Sequence, residues 1–314
     1  MPMSEFHVVD VFSSARFRGN PVMVVAADED LALEQMQAFA AWNGMPETVF
    51  LRPSTPAVAD DRCSYAARIF SPRAELAFAG HPSLGAAHLA VETGLARRPS
   101  FVVCNDEFGD GAGEAATLWQ QCAIGTVQLN VLRLSTGGVK VFVRTPAPGQ
   151  VVMLASDENR AVAAAIGLAG AVQSYRVNAG ANWIVVQLDA PTGLAALMPN
   201  MPAIEALSVS QGVSGITVYA PILDRSSARF EVRSFGPAIG VPEDAGCGGG
   251  NACVAVLHHH LQGERIGAGY LAYQTRQGRF VGRDGRVHIR GPVEDDRFWI
   301  GGMTRTMMSG KVSL

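Results

Sequence analysis

The groups best placed to do chemistry in this chain cluster in one stretch, Phe235 to Leu257, which reads FGPAIGVPEDAGCGGGNACVAVL. Gly248, Gly249 and Gly250 let backbone N–H groups come close to a ligand, because no Cβ blocks the approach. The small apolar segment after them is expected to be a helix. Its unpaired N–H groups and positive dipole end favour a carboxylate or a phosphate. Glu243, Asp244 and Cys247 rim this turn, where two acids and a thiol could move protons. A helix N-terminus favours a thiolate at Cys247; the competing reading is a buried, inert thiol. Asp244 equally fits an ordinary turn acid, and Cys253, inside the helix, reads as core.

The same device occurs a second time. Arg68 to Val91, RIFSPRAELAFAGHPSLGAAHLAV, places Arg68, Phe70 and Pro72 against Arg233, Phe235 and Pro237. Pro72 precedes Gly80 by eight residues and Pro237 precedes Gly248 by eleven, so the copies differ by three residues of loop. Ala79 then corresponds to Cys247 and His81 to Gly249. Internal repetition dictates architecture, and two copies are too few for a solenoid. The expectation is a pair of pseudo-symmetric lobes with a cleft between them.

A chain of 314 residues suits two domains, each with its own core. With 17% charged and 48% hydrophobic residues it is a compact globular sequence. A formal net charge of −3 gives no electrostatic reason to expect nucleic acid. No apolar run reaches membrane-spanning length, and MPMSEFHVVDVF lacks a signal-peptide pattern, so a cytoplasmic protein off the membrane is expected. Five cysteines without C-x-x-C spacing read as reduced thiols.

The positioning elements follow from periodicity. Strands are expected at Phe6 to Phe12 and Val22 to Ala26, around a Phe17–Pro21 turn, and a helix over Asp30 to Trp42. Strands follow near Val49, Ser64 to Phe70, Phe101 to Cys104, Thr117 to Leu134 and Val139 to Arg144, with the first glycine helix at Pro82 to Thr93. The Thr145–Gln150 segment, TPAPGQ, is the boundary between lobes 1–145 and 146–314, although the terminal strands could cross between them. Beyond it come helices at Ala161 to Gly167, Ala190 to Met198 and Ile204 to Val209. Strands are expected at Val172 to Val177, Trp183 to Leu188, Ile216 to Ile222 and Arg229 to Ser234. The second glycine helix, Asn251 to His258, and a strand-rich tail, Tyr270 to Leu314, complete the chain. Helices this rich in Gly and Ala suit burial inside a curved sheet.

GNPVMVV after the V-V-D-V-F strand, PETVF, RIFSPRAELAFAGHPSLG and FGPAIGVPEDAGCGGG together resemble the PhzF-like isomerases of phenazine biosynthesis, within the diaminopimelate epimerase superfamily. The resemblance runs from Val8 to about Gly302, and E-L-x-F-A-G-H-P is its most specific element. It implies an α+β fold of two pseudo-symmetric lobes, each a β-barrel-like sheet around a central helix, with the active site between them. A homodimer is left open. By the same resemblance Glu47 is the catalytic acid/base, with His81 and Asp244 assisting. Asn20, Gly80, Ser83, Gly248, Gly249 and Gly250 are candidates for substrate binding. The family usually carries a serine where Gly249 stands, in a D-x-A-T-G-S run. This chain has D-A-G-C-G-G instead, which brings in Cys247 as a further catalytic candidate and leaves the substrate open. The superfamily's epimerases use two cysteines as bases; the first would fall at Ala79, which excludes a two-thiol mechanism.

On residue type alone Glu47 is an exposed turn carboxylate and His81 a helix cap. His258, His259 and His260 read as exposed helix-end residues, since consecutive helical residues face different ways. Trp42, Trp119, Trp183 and Trp299 read as core. No P-loop, dinucleotide fingerprint or metal-ligand spacing is present, so neither cofactor nor metal is expected. Three readings compete for a small carboxylated substrate. They are a Glu47 isomerase, a racemase, epimerase or dehydratase in which Cys247 shares the proton work, and a non-catalytic binder.

Overall fold

The computed structural model describes residues 3–27, 31–54, 62–97, 99–147, 149–170, 172–223, 228–266 and 271–314. Asp30, Pro148 and Tyr270, each included in an expected element or boundary, lie outside them. The chain forms two compact units, Met1–Arg144 with Gly301–Leu314, and Thr145–Ile300.

The first unit holds β1 (Met3–Val11), β2 (Asn20–Ala26), α1 (Leu33–Trp42), β3 (Thr48–Pro53), β4 (Tyr65–Phe70), β5 (Glu75–Leu76), α2 (Gly80–Glu92), β6 (Val102–Asn105), β7 (Ala112–Cys122), β8 (Gly125–Leu134) and β9 (Val139–Arg144). β1 pairs with β2, β2 with β3, β3 with β4, β4 with β7, β7 with β8 and β8 with β9. A final strand, described below, pairs with both β9 and β1 and shuts the ring. The result is a closed barrel of eight strands, a shape that leaves those strands no free edge.

Inside this barrel runs α2, touching β1, β2, β3, β4, β7, β8 and β9. His81 to Ala90 are all buried, so the helix presents no solvent face. Small side chains make this possible. A Cβ at Gly85 would stand 2.3 Å from Val22 Cγ1. Outside, α1 seals the sheet with Met36 and Ala40 against Val25, Phe50 and Phe70. Trp42 ends α1 and is 81% exposed, against the expectation of a core residue; its ring lies beside Phe39, at 6.3 Å between ring centroids.

The second unit holds β10 (Gln150–Met153), α3 (Ser156–Ile166), β11 (Ser174–Asn178), β12 (Asn182–Gln187), α4 (Pro191–Ala196), α5 (Met201–Gln211), β13 (Ile216–Pro221), β14 (Ala228–Phe235), α6 (Gly248–Ile266), β15 (Leu271–Gln277) and β16 (Gly285–Val293). β17 (Arg297–Ser313) begins here and ends as the strand that closes the first unit's ring. Pairings run in sequence from β10 to β16, with β12–β13 and β14–β15 parallel. This sheet wraps α6, which touches β10, β11, β12, β13 and β16. On its outer face α3, α4 and α5 bury Val162, Ile166, Leu194 and Ile204 against Ile184, Val186, Ile216 and Val218. Central strands covered on both faces explain their unbroken apolar runs. Each unit is thus a curved sheet around one central helix.

Candidate active site

In the first unit the glycine of the motif does not precede the helix; Gly80 is its first residue, and His81 lies in its first turn. Ala79 caps α2 without a side-chain hydrogen bond. Glu47 leads directly into β3, which is parallel to β2, and this register brings it to the same helix end. His81 Nδ1 is 3.0 Å from Glu47 Oε2 and its Nε2 is 3.1 Å from the Asn20 carbonyl oxygen. A carbonyl only accepts, so Nε2 carries a hydrogen. The Nδ1–Oε2 contact then holds one proton, as imidazolium with carboxylate or as imidazole with carboxylic acid.

Glu47 is 7% exposed and His81 4%, which replaces both bland readings, the exposed turn acid and the simple cap. Oε1 of Glu47 has no hydrogen-bond partner among the described residues. Asn20 is held by the turn before it, where Asp10 Oδ2 accepts the Gly19 N–H at 3.2 Å. A Cβ at Gly19 would sit 2.2 Å from the Val11 carbonyl, so that turn requires glycine. The Ser83 hydroxyl is committed within the protein. It donates to the Ala79 carbonyl at 2.8 Å and accepts from Gln120 Nε2 at 2.9 Å. The structure therefore brings Asn20, Glu47, Gly80, His81 and Ser83 together at one end of α2.

In the second unit Gly248, Gly249 and Gly250 form the first turn of α6 rather than a loop before it. Cys247 stands at the helix start, 6% exposed, and its Sγ accepts the Gly250 N–H at 3.2 Å. This is the bond an N-cap oxygen usually makes, here made by sulfur. Asp244 Oδ1 accepts the Gly246 N–H at 3.0 Å, and Glu243 is gripped by Arg233 through two bonds of 2.9 and 2.8 Å. Neither acid beside the thiol is left as a free charge in solvent. Asp244 is buried, and the charge of Glu243 is met by a guanidinium. Asp244, Cys247 and the three glycines are thus gathered at the start of α6.

Two structural residues escaped sequence reasoning. Gln277 on β15 accepts from the Cys247 N–H at 3.2 Å and from Asn251 Nδ2 at 2.7 Å, and donates to the Asp244 carbonyl at 2.9 Å. Gln120 on β7 occupies the matching place in the first unit, bound to Ser83. Asn251 and Ser83 both lie four residues after the aligned pair Cys247 and Ala79, and both donate to that residue's carbonyl, at 2.9 and 2.8 Å. Only alignment of the repeats, extended past the glycines, points to them.

Of the histidine run, His260 is exposed as expected and His259 is half-buried, while His258 differs. His258 is buried, with Phe230 at 4.8 Å and Tyr273 at 6.2 Å between ring centroids. Burial and the nearby Arg229 and His259 hold its pKa down at about 4. Among the described residues no group of three His, Cys, Asp or Glu side chains could hold a metal ion, and no helix is long and apolar enough to cross a membrane.

The sequence matches the PhzC-PhzF family, phenazine biosynthesis-like protein, over residues 9–310. It is 29% identical over 304 residues to the trans-2,3-dihydro-3-hydroxyanthranilate isomerase of Pseudomonas aeruginosa, covering 94% of this chain and 93% of that protein. It is 27% identical over 319 residues to antisense-enhancing sequence 1 of Schizosaccharomyces pombe, covering 99% of each. In fold it is similar to a PhzF-family protein of Bacillus anthracis, with a TM-score of 0.80 at 18% identity over all of both chains. It is also similar to a hydroxyproline epimerase of Agrobacterium vitis, crystallised with trans-4-hydroxy-L-proline. There the TM-score is 0.63 at 14% identity, over 99% of this chain and 93% of that one.

Proposed function

This chain belongs to the PhzC-PhzF family of phenazine biosynthesis-like proteins, whose curated relatives include named isomerases, and we propose that it is an isomerase moving a proton on a small carboxylated substrate without a cofactor. The observation that carries this reading is the buried Glu47–His81 pair with one carboxylate oxygen to spare. With His81 as imidazolium, its Nε2–H fixed on the Asn20 carbonyl, Glu47 is a carboxylate oriented through Oε2. Its Oε1 takes a proton from a substrate carbon, leaving the electron pair delocalised towards the substrate's unsaturated system. The neutral acid then returns that proton to a different carbon, so the substrate is isomerised and Glu47 regenerated. Gly248 and Gly249 are assigned to the substrate carboxylate, since first-turn amides lack helical acceptors and suit an anion. Asp244 and Gln277 hold that turn in shape.

The N–H···Sγ bond to Cys247 supports a second reading, in which the thiol shares the proton work in a racemase, epimerase or dehydratase. One experiment addresses both. In D2O, with trans-2,3-dihydro-3-hydroxyanthranilate as trial substrate, Glu47→Gln is expected to slow deuterium incorporation by about 10²–10⁴, the usual weight of a lost acid/base. Cys247→Ser is expected to turn over as the wild type does. Exchange at wild-type rate in Glu47→Gln removes the isomerase reading. Inversion at a single carbon, lost in Cys247→Ser, installs the second.

A further inference from the structure

We propose that the indole N–H of Trp183 joins the Gly248 and Gly249 amides in a three-donor seat for a substrate carboxylate, and that Trp183 thereby helps set substrate class. This rests on the reading of the chain as an isomerase of a carboxylated substrate. Trp183 lies on β12, is 3% exposed, and makes no indole hydrogen bond among the described residues. Its Nε1 is not among the side-chain atoms shut away without a partner, so on an otherwise buried ring this one donor stays within reach of a ligand. Here the donor is aimed at the start of α6. A Cβ built on Gly249 would lie 3.1 Å from Trp183 Nε1, with Ala181 Cβ next at 3.9 Å.

A Cβ at Gly215, the residue before β13, would come within 2.8 Å of the Trp183 Cζ3, so the ring lies close against that backbone. Gly249 is half-buried, between the buried Gly248 and Gly250, and marks where the seat is open. Of the three glycine amides, that of Gly250 is taken by Cys247 Sγ, which leaves those of Gly248 and Gly249. Two amides and one indole N–H, donors all, select an anion. Asp244, earlier in the same turn, has Oδ1 on the Gly246 N–H at 3.0 Å. Glycine at 249 also acquires a reason: a side chain there would fill the space into which the indole donor points.

The test uses anthranilate (2-aminobenzoate) and its neutral amide, anthranilamide, as probes of the full chain. In ¹H–¹⁵N spectra, the Trp183 indole resonance, assigned by its absence from Trp183→Phe, is expected to shift on titration with anthranilate and to ignore anthranilamide. By calorimetry Trp183→Phe, which keeps an aromatic ring and loses the N–H, should bind anthranilate ten- to a hundredfold more weakly, as expected for a hydrogen bond to a charged group. Gly249→Ser should weaken it similarly by displacing the indole. No saturable anthranilate binding by the wild type, a silent Trp183 resonance, or undiminished affinity in Trp183→Phe each overturns the seat. Tighter binding of inorganic phosphate with the same Trp183 shift overturns the carboxylate assignment. Because the resonance is read on the unaltered chain, a poorly folding variant does not shelter the proposal. If Glu47→Gln exchanges normally while Trp183 responds, the acid/base reading falls alone; a silent Trp183 with exchange lost in Glu47→Gln sinks the seat alone.

Discussion

The two glycine helices share a frame and differ in everything mounted on it. In both, an arginine grips the glutamate that lies four residues before the helix-start position. Arg68 holds Glu75 through two bonds of 2.7 Å, and Arg233 holds Glu243 through bonds of 2.9 and 2.8 Å. In both, the guanidinium lies over the phenylalanine of R-x-F, at 5.4 Å for Phe70 and 5.0 Å for Phe235. In both, a buried glutamine braces the first turn from a strand paired in parallel with the arginine's own. The helix starts then diverge. One has Ala79, with the buried Glu47–His81 pair beside it; the other has Cys247, with glycine where His81 would fall. The repeat fixes where a helix end is held, and leaves free what the end carries.

The comparison breaks most visibly at the arginines, because one clamp is buried and the other is not. Side-chain exposure is 7% and 12% for Arg233 and Glu243, against 36% and 31% for Arg68 and Glu75. Arg233→Ala strands Glu243 and also frees the Leu194 carbonyl, held at 2.8 Å. Urea denaturation should report a loss of about 3–5 kcal/mol.

A rate effect comes next. Iodoacetamide should alkylate Cys247 about tenfold or more faster than Cys253, equivalent to about 1.4 kcal/mol. Cys247 has a helix-end N–H on its sulfur, whereas burial drives the Cys253 thiol well above its ordinary pKa. Equal labelling of the two in a peptide map breaks the contrast between helix end and helix interior.

Histidines further along the two helices differ too. His88 of α2 has both ring nitrogens engaged, by Thr304 at 2.9 Å and Thr306 at 3.2 Å, while His258 Nε2 has no hydrogen-bond partner among the described residues. The pKa of His258 is lowered in the folded state, so below its ordinary value of 6.5 the unfolded chain binds a proton that the native chain refuses down to about 4. Stability should therefore fall as pH drops from about 6.5 to about 4, and that part of the slope should vanish in His258→Phe. An unchanged slope would move the acid sensitivity elsewhere.

The smallest effect closes the series: Arg68→Ala, at a partly exposed pair, should lose less than about 1 kcal/mol. A loss equal to that of Arg233→Ala would make the two clamps equivalent.

The architecture was legible because it is written in spacing. R-x-F-x-P recurs since each copy must hold the same glutamate and ring, and small-residue helices follow since each must thread a sheet. The start of α6 was misread by three residues, as glycine disfavours helix interiors and only tertiary packing overrides that. The Glu47–His81 contact spans 34 residues and leaves no periodic trace; their types alone fit a turn acid and a cap. Trp42 and His258 failed in opposite directions. A tryptophan at a helix end needs no core, and a histidine among aromatic rings needs no water. Gln120, Gln277 and the aim of Trp183 belong to strand pairing, which a single sequence does not display.

The eight-strand ring of the first unit carries a consequence for how the chain is made. Its first strand, β1, pairs with Thr304–Ser313, which the ribosome makes about 300 residues later. At roughly 5–20 residues per second, β1 waits roughly 15–60 s for that neighbour. Thr145–Ile300, complete within itself, is translated wholly inside that interval. The nascent barrel must therefore persist as an open sheet with an unsatisfied seam, and its final circle is drawn only after the inserted unit has had time to settle.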